Sequence, residues 1–500
     1  MAPEHLRFGG GAADSAIHPL VAVYLLIAIL LILFLPRNKA IVPFLVAFFT
    51  IPIGQVLVLG GFHFTALRVL ILAGLARRVS FRKTSGGKFP GGVNALDWTT
   101  VLWSVSAVIA FWLEFMERSA FINGFGVLLD TLGGFLVVRS LIPDGDTMRR
   151  TIKTLAVICA ILGACMINEQ ISHVNVFGLL GGTSSQVVVR DGHQRAGATL
   201  GCLYAGAFAG VLIPVFLWLW KEANSRAAAL AGLAGATAMV VTSYSSTSWI
   251  AFTGSLVGLA FWPLRQRMRI IRWGIMLSLI SLHMVMKAPV WALIARIDLT
   301  GSSSSEQRYM LVDMTIRHFS DWWLLGTSEY VNWGWDSWDL CNQFVAVALT
   351  GGLLALIFYV GIFVRGFSAI GRARKLVEGD TRQEWLFWCL GSSLFATVVA
   401  HFGINYMAQL IMGFFPLVVC ISVATSQAMQ RPAQGADLST ETPEESVTSS
   451  WGYRVPAGEL RMKATAGLSP EARGRERFGS QLKTRYSNRF LPGTTFKENK

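Results

Sequence analysis

Charge is scarce in this chain. Aspartate, glutamate, lysine and arginine make up 14% of its 500 residues, where soluble domains carry about 25%. An ordinary soluble enzyme is excluded on that ground. Disorder is excluded for most of the length, because 53% of the residues are hydrophobic and can bury apolar surface. The apolar–polar alternation of a membrane β-barrel strand is missing too. The apolar residues come instead in unbroken runs. The six cysteines build no framework: Cys159, Cys165, Cys202, Cys389 and Cys420 sit in apolar stretches, and no CxxC or Cys/His metal spacing occurs. We therefore expect no metal and no cofactor.

What is abundant is hydrocarbon. Mean hydropathy is +0.51, and run after run reaches the ~20 apolar residues that cross ~30 Å of bilayer as a helix. The pattern implies an all-α polytopic membrane protein of twelve to thirteen transmembrane helices. The spans fall roughly at 17–36, 40–59, 62–76, 95–116, 120–138, 152–168, 197–220, 227–243, 248–264, 271–288, 343–364, 385–402 and 405–425. Seventeen tryptophans fit a chain with many membrane–water interfaces. Pro36-Arg37-Asn38-Lys39 closes the first run as a stop, unlike a cleaved signal. Arg68 and Asp130 are the two clear charges inside spans. Residues 1–425 form the transmembrane domain. Residues 426–500 change to Pro, Ser, Thr, Gly and charge without apolar period, and read as a disordered cytoplasmic tail.

A net charge of +14 raises the question of nucleic acid. Position answers it. With an external amino terminus and alternating spans, 22 basic residues fall on inner loops and 8 on outer ones, which is how a membrane protein sets its orientation. The carboxy terminus is then cytoplasmic, and no nucleic acid is expected as a partner. Two outer loops are long, about 169–196 and 289–342, and long loops in a compact protein tend to carry function. The second holds Trp291, Trp322, Trp323, Trp333, Trp335 and Trp338. It is therefore expected to be ordered: a large external loop before the last three helices.

Both loops display arginine against the orientation rule. Arg308 follows Ser302-Ser303-Ser304-Ser305-Glu306-Gln307. It reads as a loop salt bridge, a lipid-phosphate contact, or an anion site for a phosphorylated lipid, since a guanidinium fork matches phosphate. Arg195 stands just before a helix, where anions are favoured. Arg190 has Asp191 beside it as a simple partner, and His193 reads first as a polar loop residue. Thr242-Ser243-Tyr244-Ser245-Ser246-Thr247-Ser248-Trp249 links two spans and reads as an interfacial turn.

These residues resemble the bacterial O-antigen ligase and O-antigen polymerase superfamily of membrane glycosyltransferases. The resemblance rests on Arg308, Leu325-Gly326, Asn342 and Gly352, with Arg195-Ala196-Gly197-Ala198-Thr199 upstream, and covers about residues 185–425. The family's histidine falls on Cys341 here, a poor proton acceptor. Asp339 lies two residues earlier, and either takes over as base or caps the following helix. The resemblance implies a metal-independent glycosyltransferase in the bacterial inner membrane. It would join a polyprenyl-diphosphate-linked glycan to a glycan or lipid-core acceptor at the outer leaflet, among membrane lipid. Arg308, Arg195 and Asp339 would be catalytic. Asn342, Arg190, His193 and Trp338 would bind substrate. Ligase and polymerase differ only in acceptor, and both stay open. The rival class is a transporter or flippase of lipid-linked glycans.

Overall fold

The computed structural model describes residues 16–59, 62–80, 92–190, 192–293, 304–334 and 339–440. The chain divides into two compact units, Met1–Ala433 and Gln434–Lys500. The second is described only to residue 440, where it is helical. The expected tail therefore lies mostly outside the described residues, and helix continues well past residue 425.

Among the described residues the longer helices are α1 Pro19–Phe34, α2 Arg37–Thr50, α3 Ala66–Ser80, α4 Ala95–Phe115, α5 Arg118–Leu141, α6 Gly145–Ser172, α7 Cys202–Trp220, α8 Arg226–Thr242, α9 Ser246–Ala260, α10 Met268–Val285, α11 Ser304–Arg317, α12 Gln343–Leu376, α13 Thr381–His401 and α14 Phe415–Thr440. Every expected span overlaps one of them. Among the described residues seven stretches are long and apolar enough to cross a membrane: α4, α5, α6, α7, Trp262–Val285, α12 and Leu410–Gln430. The protein is a helical membrane protein. The outer surface agrees: α1 exposes Leu20, Leu26, Leu30 and Phe34, which water solvates poorly.

Two departures from the expected spans have local causes. The second span stops at Thr50, because Pro52 offers no N–H and Gly54 turns at φ +97°. The apolar residues beyond it form a hairpin, β1 Val56–Leu59 with β2 Phe62–Thr65. A second hairpin joins β3 Val188–Arg190 to β4 His193–Arg195. An all-α description thus omits two small ribbons.

In the bundle, α9 packs between α7 and α13, α8 lies against α6 and α7, and α12 lies against α4 and α13. Helix ends sort into two faces. On one face, Arg149 and Arg382 both pair with buried Glu222, at 2.9 and 3.0 Å. Arg265 pairs with Glu384 at 3.0 Å, and Arg37 Nε donates to Ser140 O. The two charges inside spans find each other: Arg68 meets fully buried Asp130 at 2.8 Å, where α5 widens into a π-turn at Leu129–Gly133. A buried charge needs such a partner. The opposite face gathers Arg195, the 242–248 turn, Arg308 and the start of α12.

Candidate functional site

The expected second external loop is built around α11. Its Ser305, Arg308, Leu311 and Thr315 are buried, a helical spacing that lays one face on the bundle. Leu311 and Trp322 pack with Leu340, Val345, Ala346, Ala348 and Leu349. Residues 294–303 and 335–338 lie outside the described residues, and with them Trp338.

The Leu325-Gly326 and Gly352 elements meet in space. Helix α12 breaks at Gly352, with φ +70° and ψ −176°. Into the break comes the backbone of 323–327: Thr327 N donates to Leu349 O, and Leu353 N donates to Trp323 O, both at 2.8 Å. Backbone groups freed by the break are thereby satisfied. The fit requires glycine at both positions. A Cβ on Gly352 would sit 2.5 Å from Leu324 O, and one on Gly326 would collide with Leu349 O.

Asn342 caps α12, its Oδ1 accepting from Phe344 N and Val345 N. The cap therefore does not fall to Asp339, which leaves that carboxylate available to the face. Asp339 is half-buried, near enough to the Cys341 thiol to act on it, as is Arg308. Burial pushes Cys341 up to about 11, opposed by the Arg308 charge and reinforced by Asp339. Cys341 is thus a protonated thiol at neutral pH. Alkylation followed by peptide mass mapping is expected to be slow at Cys341 at pH 7.5 and to rise only as pH approaches 11. Rapid modification at pH 7.5 would show a thiolate there.

Both arginines converge on one turn. Arg308 Nη2 donates to Thr247 Oγ1 at 3.3 Å, and that hydroxyl donates to Gly403 O at 2.8 Å. Arg195 Nε donates to Ser243 O at 3.4 Å. Ala196 N donates to Thr242 O, and the exposed His193 ring stacks on Tyr244 at 5.1 Å. The segment that read as a plain interfacial turn is the mount for three of the expected site residues. Arg190 is exposed, across the hairpin from His193. Arg195 is 9% exposed and Arg308 8%. Among the described residues no carboxylate pairs with Arg195. A buried cation without its own acid suits an anionic ligand.

A buried carboxylate that the sequence did not single out fixes this loop. Glu169, at the end of α6, accepts from Gly197 N and Ala198 N, the latter at 2.9 Å. Asn175 Nδ2 donates to Ala198 O, and Thr199 Oγ1 donates to Phe49 O. Together they hold Ala198 at φ +47°, a conformation a non-glycine residue keeps only when its surroundings over-determine it. Glu169 alone in an apolar helix looks like any end-of-span acid, so its partners were invisible in sequence.

No family model matches the chain, and no curated protein does.

Proposed function

We propose that the protein is a membrane glycosyltransferase acting on a polyprenyl-diphosphate-linked glycan at the outer leaflet of a bacterial inner membrane. The observation that carries this reading is Arg195, a buried guanidinium without a carboxylate partner among the described residues, sharing the 242–248 turn with Arg308. Two guanidinium groups at one place suit a diphosphate, whose negative charge grows as it leaves the sugar. Asp339 takes the proton of the acceptor hydroxyl as the new glycosidic bond forms. Asn342 acts through the start of α12, which it caps. His193 and Arg190 belong to the rim over which the glycan extends, and Trp338 is a further substrate contact implied by the resemblance. The resemblance to O-antigen ligases and polymerases supports the same reading, and leaves lipid core and second glycan chain as alternative acceptors.

The shorter helices count as crossings in this reading, because helix ends fall on two faces through the whole bundle. Twelve to thirteen crossings follow, with the Arg149, Arg265 and Arg382 face in the cytoplasm. A transporter would place its site at mid-membrane, where helices break around an open cavity. Here the break in α12 is filled by the 323–327 backbone, and the mid-bundle charges neutralise each other.

Cysteines placed at exposed Asn332 and at exposed Asp146 in a cysteine-free background test the orientation. A membrane-impermeant maleimide should label position 332 in cells with a permeable outer envelope and an intact inner membrane. Position 146 should react only after lysis. The reverse pattern would put the arginines on the side away from the proposed substrate and end the reading.

A further inference from the structure

A groove of about 550 Å³ runs between α1 and α2. Helix α1 contributes Tyr24, Ile27 and Leu31, Leu35 follows as its C-cap, and α2 adds Pro43 and Val46. From Tyr24 to Leu35 the wall is about 16 Å long at 1.5 Å per residue, close to one leaflet of a ~30 Å hydrocarbon core. The two charged residues of the lining, Lys39 and Arg150, are both cations and lie at the Leu35 end. At the other end Tyr24 Oη bonds to Thr50 Oγ1 at 2.9 Å.

The cationic end is also the start of α2. That start has no side-chain cap and no acidic residue in its first turn, so it favours an anion. Arg150 Nη1 donates to Asn38 O, which fixes the guanidinium beside Lys39. Lys39 itself is exposed. An apolar trough one leaflet long with positive charge at one end matches a lipid: acyl chain below, phosphate above. Both cations lie on the face of the Glu222 ion pairs, opposite to Arg195 and Arg308. A glycan donor held by the arginines is therefore not the occupant. Zwitterionic lipid has no net charge for the cations to favour.

We propose that this groove binds an anionic glycerophospholipid of the surrounding bilayer, one acyl chain lying along α1 and the phosphate held between Lys39 and Arg150. Such a lipid clamps α1 and α2 to the start of α6, and the site is independent of the glycosyltransferase reading.

The test uses the full chain, purified in detergent and delipidated. It is titrated with dioleoylphosphatidylglycerol, dioleoylphosphatidylcholine or a polyprenyl monophosphate, and followed by melting temperature and native mass spectrometry. Phosphatidylglycerol is expected to raise the melting temperature and stay bound; phosphatidylcholine is not. The Lys39→Ala, Arg150→Ala double variant should weaken phosphatidylglycerol on the order of 30-fold, about 1 kcal/mol for each cation. Lys39→Glu alone changes an exposed side chain, leaves packing untouched, and should also lose most of the retention. Leu31→Trp should block retention by filling the groove with both cations in place. Equal stabilisation by the two phospholipids, or unchanged retention in Lys39→Glu, would overturn the proposal. Stabilisation by the polyprenyl phosphate alone would overturn it too, and would assign the groove to a substrate lipid.

Discussion

Arg308→Ala and Arg195→Ala are each expected to lower glycan transfer on the order of 10²–10³-fold, the usual cost of removing one charge-assisted donor from a developing anion. Both proteins should still insert. Arg195 makes its hydrogen bond to the 242–248 turn through one nitrogen, so its truncation removes little of what anchors that loop. Arg308→Lys should recover activity only in part, because an ammonium cannot form the planar two-point contact. Asp339→Asn should be nearly as severe as the arginine changes. Asn342 already fills the helix cap, so a capping role cannot soften the loss. Cys341→Ser should be mild. Transfer is measured in membranes with matched protein levels. Full activity in Asp339→Asn, with none in Cys341→Ser, would move the base to the thiol.

Gly352→Ala is expected to be the most damaging change away from the charges. The backbone at Gly352, φ +70° and ψ −176°, lies in a region essentially reserved for glycine. Forcing alanine there costs about 1–3 kcal/mol for the dihedral angles alone. The methyl group would also press on Leu324 O and push out the 323–327 backbone, exposing the Thr327 N and Leu353 N hydrogen bonds together. The melting temperature should fall sharply and transfer should be lost with it. Gly326→Ala should act in the same direction, and the pair should be far from additive, since both break one interlock. A Gly352→Ala protein melting with the wild type would show that the break in α12 is not held as described.

How much of this the sequence displays depends on the range of the interaction. Spans are legible because hydropathy is summed over neighbours, and every expected span overlaps a helix. Val56–Leu59 and Phe62–Thr65 misled because apolar strands and apolar helix ends have the same composition; Pro52 and Gly54 were the available signal. Gly351-Gly352 was the available signal for the break in α12, and its partner left none: the hydrogen bonds come from residues more than twenty positions earlier. Of the site, the arginines stood out by standing on the wrong side of the charge rule. The 242–248 turn did not, because serine and threonine are ordinary turn formers, and its meaning comes from Arg195, Arg308 and Gly403, distant in sequence. Glu169 was hidden for the same reason.

The most direct measurement is glycan transfer by the purified protein alone in proteoliposomes, given a polyprenyl-diphosphate-linked glycan donor and a glycan or lipid-core acceptor. The expected result is a lengthened or ligated glycan with release of the polyprenyl diphosphate, reduced at least about 100-fold in Arg195→Ala. No product from the folded wild-type protein with either acceptor, or equal product from Arg195→Ala, would contradict a diphosphate-binding site built on Arg195 and Arg308.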